Sequence, residues 1–288
     1  MNESITSVSD YLLWVKSCHD VEYGTNNKLS CYQEHVYFRG HASSSWELVP
    51  FLFRDKECIH DEHELLQRAN NLLWSELSDC KSELEKIVRL QHYGLMTRLL
   101  DVTYNPLVAL YFACQQSADP CDAKDGVVYC GFNDNDGERV ANAIAEYVFN
   151  NDAMTIERNE VDGLCRRYKV GKSLLERMHL FNPPFNNQRI VIQNGAFIMP
   201  PLIKADASFP FNRADRVYIK KEMETAFSKR IIVPQNSKTP ILNELDYLGF
   251  NKSTIFRDII HSLEYINGIE ARSCPNVKSC IKSDAYEE

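Results

Sequence analysis

His92, Arg98 and Asp101 fall close together in the stretch LQHYGLMTRLLDVTYNPLVALYFAC, residues 90–114. Their types suit chemistry on a polar, charged substrate. An imidazole exchanges protons near neutrality, and a guanidinium grips a phosphate or carboxylate with two parallel bonds. The residues around them are apolar enough to form a core. Burying His92, Thr97, Arg98, Asp101, Thr103 and Asn105 unpaired would cost about 1–3 kcal/mol per group, so each must be paired or face a cleft. His92 is a candidate general acid or base; its alternative is a packed, hydrogen-bonded histidine. Arg98 and Asp101 would share a face on a helical turn, and a salt bridge between them is the first reading. The second places Arg98 on a substrate phosphate and Asp101 behind His92, fixing its tautomer.

Further candidates lie upstream and downstream. Arg39-Gly40 suits a phosphate or pyrophosphate, because the guanidinium forms a fork and the glycine lets a ligand approach the backbone; the plainer reading is a strand-end ion pair. Gln193 and Asn194 line the same cleft if their segment neighbours the Arg39 strand, although Asn194-Gly195 is also what a tight hairpin uses. His60 and His63, in HDEH, fit the solvated first turn of an acidic helix, and no metal is expected there. Ser43, Ser44 and Ser45 lack the strand–turn–helix elbow that exposes a nucleophile, so they read as turn residues or phosphate hydrogen-bonders.

The elements that position these residues follow from periodicity and turn chemistry. Ser7–Cys18 reads as a helix. His35–Gly40 reads as a strand with Val36 and Phe38 on one face and Tyr37 and Arg39 on the other. Asp61–Leu77 is predicted as one amphipathic helix, with Glu62, Glu64, Arg68 and Glu76 mostly on its solvent side. Leu84–Leu90 is helical, and Gly94 permits a turn that gathers His92, Arg98 and Asp101 around one bend. Asn105 caps the next helix and Pro106 opens it. Val127–Phe132 is a strand, Glu138–Phe149 a helix, and the polar stretch to about Lys172 an insertion or lid. RIVIQ and AFIMP, residues 189–193 and 196–200, are predicted as two strands of a hairpin. Val217–Lys220 and Arg230–Val233 are read as strands, and Ser237 as the cap of a helix ended by Gly249.

Strands and helices thus mix without regular alternation, which predicts an α+β fold with a mixed, mostly antiparallel sheet flanked by helices. No repeat or low-complexity linker divides the chain, so one domain over residues 1–270 is expected, with a polar tail over 271–288. The formal charge of −8 over 288 residues argues against a broad nucleic-acid surface and leaves room for a local basic groove. No apolar run reaches the ~18 residues needed to span a bilayer, and MNESITSVSD lacks the features of a secretory signal. The ten cysteines form no CxxC pair and read mostly as small buried hydrophobes of a reducing cytoplasm; Cys274 and Cys280 are the pair closest to a metal or disulfide pattern.

Three motifs together resemble the FRG domain family, named for its Phe-Arg-Gly motif: YFRGHASSSWELVP around Phe38-Arg39-Gly40, QHYGLMTRLLDVTYNPLVALYFA, and Arg189 with Gln193-Asn194-Gly195-Ala196-Phe197. The later IIVPQNSKTPILNELDYLGFNKSTIF is similar to the family's C-terminal part. The chain departs from the pattern at Met96 and Val102, which loosens the local turn and leaves the polar set intact. The resemblance implies a bacterial protein of toxin or phage-defence type. The order of a strand ending in Arg-Gly, a His-containing turn before an aromatic helix, and a late Gln-Gly-aromatic strand is in turn similar to ADP-ribosyltransferase folds that bind NAD.

That likeness implies NAD on Arg39, Gly40, Arg98 and Gln193, with His92 and Asp101 catalytic, and ADP-ribosyl transfer or NAD cleavage as the reaction. The catalytic glutamate of such transferases has no counterpart at Asn194-Gly195-Ala196; Glu222 or Glu224 would have to substitute. Two rival readings stay open: a non-catalytic module recognising nucleic acid or protein, and a metal-independent nuclease using His92. Expected partners are a nucleotide or nucleic-acid substrate and a protein antidote, and no membrane.

Overall fold

The computed structural model describes residues 4–23, 36–54, 62–116, 124–132, 137–183, 188–204 and 210–256. In chain order the elements are α1 (Val8–Tyr23), β1 (Val36–His41), α2 (Glu62–Leu72), α3 (Trp74–Leu77), α4 (Glu83–His92), β2 (Leu100–Thr103) and α5 (Pro106–Cys114). There follow β3 (Gly126–Phe132), α6 (Gly137–Asn150), β4 (Thr155–Ile156), α7 (Arg158–Tyr168), β5 (His179–Phe181), α8 (Gln188–Ile192) and β6 (Gly195–Met199). The last are β7 (Phe211–Asn212), α9 (Arg216–Ala226), β8 (Lys229–Val233), α10 (Gln235–Tyr247) and α11 (Lys252–Phe256). Six strands form one sheet in the order β5-β6-β2-β1-β3-β8, and β4 pairs with β7. Every strand pairing is antiparallel, which makes this an α+β fold.

Three apolar clusters hold helices to the sheet. Val36 and Phe38 of β1 pack with α1, α5 and α10, while Tyr37 packs on the opposite face with Met223 and Phe227 at the end of α9. Phe197 and Met199 of β6 pack with α6, so the helical cover changes from α5 to α6 between β1 and β6. Helix α5 sits close to the sheet. A Cβ on Gly40 would overlap the Ala109 carbonyl and lie 2.8 Å from the Ala113 nitrogen. Asn105 starts this helix as expected, its Oδ1 accepting from the Leu107 N–H at 3.0 Å ahead of Pro106. The helix buries residues all round, as an element inside a core does.

Several expectations are corrected. The Asp61–Leu77 helix breaks at Leu73, leaving Leu72 83% exposed, and Glu62 is buried rather than solvated. Its carboxylate accepts from Arg98 Nε and Nη2, both at 2.7 Å, and from Arg213 Nη2 at 2.9 Å. RIVIQ is not a hairpin strand. Its first residues form the short helix α8, Asn194 adopts φ 47, and β6 pairs instead with β2 and β5. Val217–Lys220 lies in α9, started by Asp215 Oδ1 accepting from the Tyr218 N–H at 2.9 Å. The stretch read as an insertion or lid carries α7, which buries Val161 and Leu164 in the α6 cluster. Ser237 lies inside α10, which begins after Pro234.

Among the described residues no helix is long and apolar enough to cross a membrane. Cys18, Cys80, Cys114, Cys130 and Cys165 form no disulfide. His60 and the tail with Cys274 and Cys280 lie outside the described residues.

Candidate functional site

Strand β1 pairs with β3 along its whole length, Val36 to His41, but with β2 only through Phe38 and Thr103. Beyond that pair the two strands diverge. At this point the Arg39 side chain spans the gap, its Nη1 donating to the Asp101 main-chain carbonyl. Its Nε donates to His41 Nε2 at 2.9 Å. A side chain thus supplies a link between strands that the ladder no longer provides.

A cleft of about 320 Å³ opens where the strands part. It is lined by Phe38, Gly40, Val108, Ala109 and Phe112 from β1 and α5, by Gln91 and His92 from α4, by Arg189 and Ile190 from α8, and by Gln193 and Phe197. Arg39, Asp101, Val102 and Thr103 complete the lining. Two guanidiniums, an imidazole, a carboxylate and three phenylalanines therefore share one cavity.

Each polar group has a defined setting. Burial draws the Arg39 guanidinium down to about 10, against the pull of Asp101, and it remains a cation at neutral pH. His92 lies at the C-terminal end of α4, where a helix dipole favours the imidazolium, yet burial and the nearby Arg189 guanidinium hold it below the ordinary value of 6.5. It is mainly neutral at pH 7 and able to accept a proton. Gln91 Nε2 donates to Asp101 Oδ2 at 2.9 Å, and Gln91 Oε1 accepts from the Thr97 hydroxyl. Arg189 lies over the Phe256 ring at 4.9 Å. Gln193 Nε2 donates to the Ile255 carbonyl at 3.3 Å, and the Gln193 carbonyl accepts from Thr103 Oγ1 at 2.6 Å.

The structure gathers Arg39, Gly40, His92, Asp101 and Gln193 in one cleft and places Arg98 elsewhere. Arg98 is not paired with Asp101, nor does it line the cavity; both ends of its fork are on Glu62 in the core. No hydrogen bond joins Asp101 to His92; the Asp101 carboxylate accepts from Gln91 instead. Gly40 is explained by α5 rather than by a ligand, since its missing Cβ leaves room for the Ala109 carbonyl. Glu222 and Glu224 do not line the cavity, which leaves Asp101 as its carboxylate. No group of three or more His, Cys, Asp and Glu among the described residues is placed to hold a metal.

Gln91 was not singled out by the sequence, because an amide neither titrates nor forms a recognisable motif; its position beside His92 was the only signal. Arg189 was visible in a motif but had no role until α8 placed it in the same cavity as Arg39.

Residues 34–121 match the FRG domain family model. Residues 34–121 carry an FRG domain. The matched region supplies Arg39, Gln91, His92 and Asp101, whereas Arg189, Gln193 and Phe197 come from beyond it. The cleft of this FRG domain is therefore closed by the chain that follows the matched segment. No curated protein and no solved structure matches the chain.

Proposed function

We propose that this FRG domain binds NAD in the Arg39–Arg189 cleft and transfers or hydrolyses its ADP-ribose. One observation carries the reading: in a chain of net charge −8, two arginines, Arg39 and Arg189, line one cavity with Phe38, Phe112 and Phe197. A pyrophosphate matches the cations and flat rings match the phenylalanines. The cavity is also within the roughly 300–1,000 Å³ typical of small-molecule sites.

In this reading Arg39 and Arg189 hold the pyrophosphate. The Asp101 carboxylate, steadied by Gln91, stabilises the positive charge that develops at the ribose carbon as the glycosidic C–N bond breaks and its electron pair goes to nicotinamide. An oxygen of water or of an acceptor hydroxyl bonds to that carbon, and its proton passes to His92. Loss of NAD or modification of an essential molecule would arrest growth, which fits a toxin or phage-defence effector acting in a bacterial cytoplasm.

The test is calorimetry of the chain with NAD, followed by an assay for released nicotinamide. Binding that is lost in Arg39→Ala, together with nicotinamide release, supports the proposal; a flat titration overturns it.

A further inference from the structure

Arg39, Gln91 and Asp101 line more than one cavity. They also line a second space of about 220 Å³, bounded further by Phe51, Arg54, Gly94, Leu95, Met96, Thr97, Leu99 and Leu100. Arg39, bonded to the Asp101 carbonyl, and Gln91, bonded to the Asp101 carboxylate, thus border both cavities.

The second cavity has its own recognition chemistry. Arg54 lies over one face of the Phe51 ring, 5.0 Å from its centroid, and Phe51 is 53% exposed. Met96 at the same rim is 37% exposed. An aromatic ring backed by a guanidinium and still open to solvent stacks a flat base, and the same guanidinium, exposed at the rim, takes its phosphate. The turn carrying Phe51 is fixed to the segment before β2 by the Leu52 N–H, which donates to the Thr97 carbonyl at 3.3 Å.

We infer that this second cavity binds the acceptor, a nucleobase bearing a phosphate, either as a mononucleotide or as the end of a nucleic-acid strand. Its base stacks on Phe51 and its phosphate meets Arg54. The inference rests on the NAD reading for the identity of the donor. Asp101 then stands between the two ligands, where a transferred group must cross. The new bond forms between the donor's ribose carbon and an acceptor hydroxyl oxygen; the hydroxyl proton goes to His92, and nicotinamide leaves with the glycosidic electron pair.

The experiment measures binding of adenosine monophosphate and of a short fluorescein-labelled DNA strand, beside NAD, to the wild type, Phe51→Ala and Arg54→Ala. Both positions are on the surface, so the variants keep the fold. Each substitution should weaken the phosphate-bearing probe by about tenfold or more, the loss of one base–aromatic stack or phosphate contact, and leave NAD affinity unchanged. Competition by adenosine monophosphate identifies the mononucleotide source; binding of the strand alone identifies a nucleic-acid end. Failure of both probes to bind overturns the inference, as does weakening of NAD to the same degree, which would make the cavity part of the donor site. If NAD fails to bind while the probes bind through Phe51 and Arg54, the donor reading falls and the second site stands. Binding with nicotinamide release but no transfer of labelled ADP-ribose to either probe overturns the acceptor role.

Discussion

Arg39 and His41 lie on the same face of β1, joined from Nε to Nε2 at 2.9 Å. The bond requires a lone pair on Nε2 and therefore a neutral ring protonated on Nδ1. Burial, the Arg39 charge and Arg54 push the His41 imidazole from 6.5 down to about 2. The unfolded chain takes up a proton here below pH 6.5 while the native protein does not until about pH 2, so stability is full above 6.5 and falls as pH drops through this window. His41→Gln keeps an acceptor and removes the titration. Urea unfolding across this range should show wild type losing up to about 1.4 kcal/mol per pH unit more than the variant; equal slopes would refute the assignment.

Among the described residues, Glu62 is the ion-pair partner of both Arg98 and Arg213, and all three side chains are nearly fully buried. Burial alone would raise its carboxyl, but the two guanidiniums hold it below the ordinary value. Glu62→Gln leaves two cations in the core without a counter-charge. A loss of about 3–5 kcal/mol in chemical unfolding is expected, and a loss below 1 would mean that the triad is solvated.

Gly40→Ala should destabilise by about 1–3 kcal/mol or more, since its Cβ has no space against α5. A thermal melt measures this directly. If the melt is unchanged but NAD binding is lost, the glycine serves a ligand and not the helix.

His92 as proton acceptor predicts that the rate falls on the acid side with an apparent pKa below 6.5. Arg189→Gln removes a repelling cation, so the acid limb should move upward towards 6.5. His92→Gln should lower kcat by about a hundredfold. A limb that stays in place in Arg189→Gln would place the titrating group elsewhere.

Arg39→Lys keeps the charge and loses the fork. Calorimetry should show about tenfold weaker NAD binding, ~1.4 kcal/mol, whereas equal affinity would reduce Arg39 to a point charge.

Much of the framework was legible because local rules acted alone. Asn105-Pro106 starts α5, alternation defines β1, and Gly94 turns at φ 96. Legibility failed where tertiary context overrode local preference. Ile190-Val191-Ile192 and Val217-Tyr218-Ile219 are β-branched and aromatic runs that read as strands, yet both are helical, the second started by an Asp215 cap that the strand reading passed over. Glu62 looked solvated because its partner Arg213 is 151 residues away, beyond the reach of any spacing argument. For the site, residue type found His92, Asp101 and Arg39 but assigned Arg98 a ligand where the core supplied a carboxylate. Gln91 and the second cavity depend on two segments meeting across a gap, which no single stretch of sequence encodes.

A sheet bonded along every strand resists bending across its strands. Here two leaves, β5-β6-β2 and β1-β3-β8, are stitched by the Phe38–Thr103 pair and the Arg39 side chain. No other junction in this sheet is held by so few paired residues. Any rocking of the leaves about this seam would change the girth of both cavities, since both are lined by Arg39 and Asp101, and would cost a side-chain bond rather than a ladder.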